Sequence, residues 1–474
     1  MSRNQLSLLT DFSTSSLQQL TVLLLNHNRL DELEGSYFAQ TPTLQHLDAS
    51  YNNIVYVNPS MFYYLSSLQK VNLESNKLER VPETRLRTPV DIKWLSLADN
   101  LIKIVEGRTF FGFHKLEHLD LSGNAISAVD KDMLEGLESL KVLKLSRNNL
   151  AIIEDDSFVN LVELKHLHLS ENIITYTTRR TFHGLISLDK LDLSNNNIVD
   201  VESFEPSYTL INISSLDLSY NKIVSIRSGT FQNMQSLREL YLHHNRIYYI
   251  EDGAFSVSSI PSLSQLGWLF LDYNRLYSIQ EKTFAGTPFL RYLSLTNNRI
   301  TTVSQHTFTH LSSLVTVDLA FNNINYLLEG TFKALHLLVK LDISSNRLVF
   351  LKSEVFDGLH NMVDLHLHNN SLVDIRQATF RELFRVRKLT LAQNRLRVID
   401  MDLFSDMASL RYLNLSFNAI ERVTPDRGIP NALNVLDLQH NKLHTIDSGV
   451  VQSLTTGKIT KTIIYIISKK LLRL

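Results

Sequence analysis

The sequence predicts a solenoid, a stack of short repeats in which each repeat adds one β-strand. Residues 290–300 show the unit, because Leu290, Leu293, Leu295 and Ile300 alternate with mostly polar residues. This is the pattern of a short strand followed by a turn. One asparagine of the unit recurs along the chain at a nearly constant spacing of 24 residues. A fixed period in this range is typical of solenoids, in which each repeat buries its apolar face only against its neighbours.

The recurring residue, which we call the ladder asparagine, is polar but falls at an inward position of the pattern. Its amide both donates and accepts hydrogen bonds, so it can satisfy backbone groups that a tight inward turn leaves unpaired. The spacing departs from 24 at three places: it is 25 before Asn221, 29 before Asn274 and 23 before Asn441. The eighteen ladder asparagines are Asn28, Asn52, Asn76, Asn100, Asn124, Asn148, Asn172, Asn196, Asn221, Asn245, Asn274, Asn298, Asn322, Asn346, Asn370, Asn394, Asn418 and Asn441.

A second periodic residue confirms the register of the repeats. Phenylalanine follows the ladder asparagine by ten residues in thirteen of the eighteen repeats, as at Phe38, Phe308 and Phe380. We expect these rings to stack as a spine beneath the convex side of the solenoid, where each buries a large apolar area.

The pattern resembles the leucine-rich repeat family, in the typical 24-residue form of extracellular proteins, and looks most like chaoptin-type cell-surface adhesion proteins. The resemblance covers about residues 4 to 454. It implies an α/β horseshoe with a curved parallel β-sheet on the concave face and loops or short helical turns on the convex face. We therefore predict a single solenoid over residues 1–454, with about eighteen repeats and a partial first one, and a non-repeat tail over residues 455–474.

Composition narrows the classes of function. Lys and Arg number 47 against 48 for Asp and Glu, so no net charge favours nucleic acid or an anionic membrane as partner. Cysteine is absent, whereas extracellular relatives usually close their solenoids with disulfide-bonded caps. We expect a piece of a longer cell-surface or extracellular protein, since the chain as given shows no signal peptide. The apolar run at 463–467 is far too short for a membrane span.

Aspartate or histidine occupies the fifth position of several repeats on the predicted concave face, counted with the ladder asparagine as the ninth. Asp192 with Asp217, and Asp318 with Asp342, form neighbouring pairs that could hold a cation or share a proton. A metal site needs three or four ligands with supporting partners. We expect no metal, cofactor or catalytic site, and therefore a non-enzymatic protein.

Aromatic residues cluster at third and fifth positions of three consecutive repeats, where inward positions are already leucine. We predict a partner-binding surface there, because exposed aromatic clusters are common anchors for protein partners. The alternatives are that the rings pack on one another or on the five-residue insertion nearby, or that they cluster by chance. The predicted site consists of Tyr241, His243, His244, Trp268, Phe270, Asp272, Tyr273 and Tyr292.

Three glycosylation sequons give mild support for a secreted parent protein: Asn212, Asn369 and Asn414 each begin an Asn-X-Ser triplet. Together with the resemblance, they favour a cell-adhesion scaffold that binds a protein partner on the concave face, with a second copy of the chain among the candidates. One alternative is the ectodomain of a Toll-type receptor. The other is an intracellular regulatory scaffold, which the absence of cysteine favours.

Overall fold

The computed structural model describes residues 1–9, 17–82, 91–201, 210–257, 260–261, 263–424, 430–444 and 463–465. By its internal contacts the chain divides into two compact units. The first comprises residues 1–222 with 233–237, and the second comprises residues 223–232 with 238–474. Both units are built from the same repeat. The prediction of a single solenoid over residues 1–454 stays a prediction.

Each unit contains parallel strands of three residues, one for each repeat, paired in register through their middle residues. In the first unit they are Val22–Leu24, His46–Asp48, Lys70–Asn72, Trp94–Ser96, His118–Asp120, Val142–Lys144, His166–His168, Lys190–Asp192 and Ser215–Asp217. In the second unit they are Glu239–Tyr241, Trp268–Phe270, Tyr292–Ser294, Thr316–Asp318, Lys340–Asp342, Asp364–His366, Lys388–Thr390, Tyr412–Asn414, Val435–Asp437 and Ile463–Tyr465. In the strands from Val22–Leu24 to Val435–Asp437 the middle residue is buried in the core, and its two neighbours lie on the opposite face of the sheet, which we call the exposed sheet face.

The ladder asparagines do what the sequence predicts. Asn298 is buried, its Nδ2 donates to the carbonyls of Leu271, Leu295 and Thr296, and its Oδ1 accepts from the N–H of Leu276. Comparable bonds recur from Asn28 to Asn441. Each asparagine thus joins its own turn to the preceding repeat, which confirms its structural role.

The residue before the ladder asparagine adopts a left-handed backbone in all eighteen repeats. His244, Tyr273 and Phe321, for example, have φ of 54°, 54° and 53°. A left-handed residue is costly unless the surroundings hold it, so the bonds of the following asparagine stabilise this turn. The turn directs the side chain of the left-handed residue outward, beside the exposed sheet face.

The phenylalanine spine is confirmed. All thirteen of these rings are buried, and within the second unit Phe308, Phe332 and Phe356 stack at centroid distances of 5.7 and 6.2 Å. Where leucine replaces phenylalanine, as at Leu134, the side chain is buried in the same way. Each unit is therefore a leucine-rich-repeat solenoid with a core of stacked leucines and phenylalanines.

Short elements cover the side opposite the sheet, and helix is scarce among the described residues. The helices are Gly35–Phe38, Ser60–Tyr64 and Met401–Phe404, of which Ser60–Tyr64 is α-helical and the others are 3₁₀. Parallel pairs of short strands join Glu32–Leu33 to Tyr56–Val57, Ala128–Val129 to Ile152–Ile153, Ser225–Ile226 to Tyr249–Ile250, Ser278–Ile279 to Thr302–Val303, Phe350–Leu351 to Asp374–Ile375, and Val398–Asp400 to Arg422–Thr424.

Two irregular regions of the sequence are seen in part. The five-residue insertion before Asn274 forms a small antiparallel pair, Ser256–Val257 with Ile260–Pro261. In the predicted tail, Ile463–Tyr465 adds one parallel strand beside Val435–Asp437. The other residues after His444, and with them most of the predicted tail, lie outside the described residues.

Candidate functional site

The strands of the second unit bring the predicted aromatic residues into one cluster, which we call the aromatic patch: Tyr241, Trp268, Phe270 and Tyr292. Tyr241 and Phe270 occupy paired positions of neighbouring strands, as do Trp268 and Tyr292. The rings of Tyr241 and Phe270 stack at 4.8 Å, and Phe270 contacts Tyr292 at 5.1 Å with the ring planes tilted by 41°. The patch is therefore one contiguous surface.

The rings of the patch differ in exposure. Tyr241, Phe270 and Tyr292 are partly buried against one another, whereas Trp268 is 42% exposed at the edge. Among the described contacts, Tyr241 also donates from its hydroxyl to Glu239 at 3.2 Å. Three of the rings thus pack on one another, as one alternative to a binding surface supposes, and Trp268 is the most exposed member of the patch. The partner-binding role of the patch stays a prediction.

The remaining residues of the predicted site, His243, His244, Asp272 and Tyr273, converge just beyond the end of the same strands. His244 stacks on Tyr273 at 4.2 Å, and the rings of His243 and His244 lie 5.5 Å apart. One ligand atom each of His243, His244 and Asp272 can be chosen so that all three lie within 4.8 Å of one another. Among the described residues, these three form the one group of at least three histidine or acidic side chains that lie close enough together to hold a metal ion.

Carboxylates influence the ionisation of groups around the patch. Burial raises the pKa of the Tyr292 hydroxyl, and the charges of Asp318 and Asp272 raise it further. Burial also raises the pKa of Asp318, with Asp342 and Asp272 adding to the effect. The pKa of His244 is lowered by burial and by His243, against the opposing effect of Asp272. Burial is the largest cause of all three shifts, and the charges of Asp272, Asp318 and Asp342 add a smaller effect that opposes further negative charge.

The paired aspartates of the exposed sheet face have structural partners. Asp192, Asp217 and Asp342 each accept hydrogen bonds from the N–H and hydroxyl of the serine two residues later. Asp318 accepts from the N–H of Ala320 at 2.9 Å. These carboxylates hold the turn that follows their own strand, as Asp and Asn commonly do in turns.

Two pairs of histidines spaced two residues apart, His166 with His168 and His366 with His368, differ in their surroundings. His166 and His168 lie 3.9 Å and 4.0 Å from carboxylate oxygens of Asp189 and Asp192, respectively. His366 and His368 both place Nδ1 within 3.2 Å of the hydroxyl of one residue, Thr390. Neither pair forms a compact three-ligand group in the part of the chain that the structure describes.

A second aromatic arrangement in the first unit went unnoticed in the sequence. The ammonium of Lys70 lies 4.6 Å above the ring of Trp94, which stacks on His118 at 5.4 Å. Burial, and then Lys144, lowers the pKa of His118 to about 4. Lys70, Trp94 and His118 occupy the third position of consecutive repeats. Aligning the third positions of the repeats would therefore have placed these three residues next to one another.

The three sequons fall on different parts of the repeat. Asn212 and Asn369 are exposed, and Asn369 is one of the left-handed residues. Asn414 ends a strand of the exposed sheet face, is partly buried, and accepts from the N–H and hydroxyl of Ser416.

The repeat, its ladder and its sheet define a class of protein, the parallel solenoids with one strand for each turn. Comparison with known proteins then identifies the family: the leucine rich repeat profile matches residues 18–78, 90–150, 124–174, 138–198, 211–267, 264–324, 312–372 and 360–420. The chain belongs to the leucine-rich repeat family. A curated relative, the leucine-rich repeat-containing G-protein coupled receptor 5 of Rattus norvegicus, is 38% identical over 74 residues, which are 16% of this chain and 8% of the receptor.

Solved structures show the same fold at low sequence identity. The Toll chain of the Toll–Spatzle complex of Drosophila matches with a TM-score of 0.72 and 19% identity, over 94% of this chain and 57% of that chain. The TLR13–ssRNA13 complex matches with a TM-score of 0.65 and 22% identity, over 90% and 79% of the two chains. A leucine-rich-repeat protein of Leptospira interrogans matches with a TM-score of 0.59 and 21% identity, over 85% and 91%. No helix among the described residues is long and apolar enough to cross a membrane.

Proposed function

We propose that this chain is a non-enzymatic scaffold that binds a protein partner through the aromatic patch on the exposed sheet face of its second unit. The observation that carries the proposal is the exposed Trp268 beside three mutually packed rings. Tryptophan and tyrosine bury much area at little entropic cost, and they dominate the residues that contribute most to protein binding.

The mutual packing of three rings supports binding rather than opposing it. Stacking holds Tyr241 and Phe270 in fixed orientations before a partner arrives, so less conformational entropy is lost on association. Trp268 would then be the anchor that a partner covers, with Tyr273, 48% exposed, extending the contact at the border.

The parent protein, on this proposal, acts at the cell surface or outside the cell in adhesion. Three features support this role: the typical 24-residue repeat, the sequons, and the relatives, which include a receptor and the Toll chain bound to Spatzle. A Toll-type receptor ectodomain is the second candidate, and the Toll–Spatzle fold match favours it. The balanced charge of the chain argues against nucleic acid as the partner.

Binding assays on Trp268→Ala test the proposal. The purified chain is presented to a panel of extracellular domains that includes the chain itself, and affinities for the hits are measured by biolayer interferometry. Trp268→Ala should weaken binding by at least about 2 kcal/mol, which is roughly thirtyfold. Its thermal stability should change little, because the ring is partly in solvent.

Tyr277→Ala is the matched control. Tyr277 belongs to the same repeat and is 50% exposed, but it lies beyond the ladder asparagine rather than on the exposed sheet face. Trp94 is less suitable, because its stack with Lys70 and His118 couples its removal to folding. Two results would overturn the proposal. One is an equal loss of affinity in Trp268→Ala and Tyr277→Ala; the other is tight binding of single-stranded RNA that Trp268→Ala abolishes.

A further inference from the structure

His243, His244 and Asp272 form a compact set of ligands that the protein-binding proposal does not require. Two imidazole nitrogens and one carboxylate oxygen are the donors that Zn²⁺ and similar divalent transition ions prefer. In a zinc site the ligand atoms lie about 3.3 Å apart, as follows from Zn–N distances of about 2.0–2.1 Å in a tetrahedron. The three atoms here already lie within 4.8 Å of one another.

Backbone geometry explains how two consecutive histidines can serve one site. In a continuing strand, neighbouring side chains point to opposite faces. His244 has φ of 54° and therefore turns the chain, so that its ring approaches that of His243 to 5.5 Å. Its N–H donates to the carbonyl of Asp272 at 3.0 Å, which ties the two repeats together where the ligands meet.

The ladder asparagines hold the backbone on both sides of the cluster. Asn245 donates from Nδ2 to the carbonyl of His243 at 3.3 Å, and Asn274 donates to that of Asp272 at 3.2 Å. Because the backbone is fixed, side-chain rotation needs to move the ligand atoms by only about 1–2 Å to bring them to the spacing of a zinc site. Stacking of His244 on Tyr273 further limits its ring.

We propose that His243, His244 and Asp272 bind a divalent transition-metal ion at the border of the aromatic patch, and Zn²⁺ is the ion with which to test it. Three protein ligands leave a fourth position open to water. The site goes beyond the protein-binding function, and Zn²⁺ alone suffices to detect it.

Substitutions taken from equivalent positions of other repeats separate ligand loss from misfolding. His243→Ser and Asp272→Ser introduce the residue found at Ser344, and His244→Asn introduces that found at Asn297, which shares the left-handed backbone with φ of 53°. The full chain is made without a polyhistidine tag, and Zn²⁺ affinity is measured by competition with a chromogenic chelator. Circular dichroism reports whether each variant is folded.

The wild-type chain should take up one Zn²⁺ at this site, and each of the three substitutions should weaken that binding at least about tenfold. The control is the double variant His366→Ser/His368→Ser, which removes a histidine pair directed at Thr390 and should leave the affinity unchanged. Three results would overturn the proposal: no uptake by the wild type, equal loss in the control, or full affinity in folded Asp272→Ser. None of them bears on Trp268→Ala, so the two proposals fail separately.

Discussion

Replacing one ladder asparagine tests whether the chain is held together as its repeat pattern implies. In Asn298→Leu, the N–H of Leu276 loses the Oδ1 that accepts its hydrogen bond at 3.0 Å. The carbonyls of Leu271 and Leu295 lose one donor each but keep another, because Asn274 and Asn322 also donate to them at 3.1 and 2.9 Å. The carbonyl of Thr296 likewise loses the Asn298 amide but keeps the N–H of Tyr273 at 2.9 Å. The damage is therefore concentrated on one buried N–H group.

The expected cost follows from these partners. A buried donor left without an acceptor costs about 1–3 kcal/mol, and a carbonyl that keeps a second donor loses roughly 0.5 kcal/mol. Summed over one N–H and three carbonyls, the total is about 2.5–4.5 kcal/mol of unfolding free energy. Because each repeat contacts only its neighbours, the loss should be confined to the repeats around Asn298.

Hydrogen exchange followed by mass spectrometry measures where stability is lost. Peptides covering residues 271–300 should exchange faster in Asn298→Leu, whereas peptides around 388–414 should be unchanged. Asn297→Ser is the control, because Ser345 has the same left-handed backbone at the equivalent position, with φ of 54°. Unchanged exchange near Asn298, or uniform acceleration across the second unit, would refute the reasoning.

Three further predictions concern packing, pH and glycosylation. Phe332→Ala should cost about 3–5 kcal/mol in urea unfolding, because it empties a place in a buried stack, whereas the exposed Phe321→Ala should cost little. Stability should fall as pH drops from 6.5 toward 4, because His118 has a pKa of about 4 in the folded chain but an ordinary pKa near 6.5 in the unfolded chain, which therefore binds the proton first. Solvent screening limits the loss to roughly 1–2 kcal/mol. In His118→Gln, the unfolding free energy should depend less steeply on pH over this range. In secreted material, Asn414→Gln should remove any glycan seen there by peptide mass spectrometry yet leave patch affinity unchanged, because six strand spacings, roughly 29 Å, separate it from Trp268.

Much of the repeat could be predicted because its determinants are local. Alternation around Leu293 and Leu295 specifies which residues point inward. Because successive side chains of a strand point to opposite faces, only one register buries both leucines. The inward position of Asn298 then requires polar partners, which the turn supplies. The same reasoning placed Trp268 outside the core, where the structure shows it.

The geometry of the candidate site needed the tertiary structure. The sequence placed Tyr241 and Phe270 at equivalent positions, but only the packing of neighbouring strands shows that their rings stack while Trp268 stays exposed. The sequence also grouped His243, His244 and Asp272 in one predicted surface, but it did not show that one ligand atom of each comes within 4.8 Å of the others. That depends on a left-handed turn, which sequence alternation does not describe.

The sequence by itself therefore determined the family, the repeat, the register and the buried spine, because a solenoid core depends on contacts that recur at one fixed spacing. Only the tertiary structure decided which surface side chains meet across repeats, as in the aromatic patch and the cluster of His243, His244 and Asp272. Those contacts depend on rotamers and on the left-handed turn at His244, and neither is specified by the spacing of leucines.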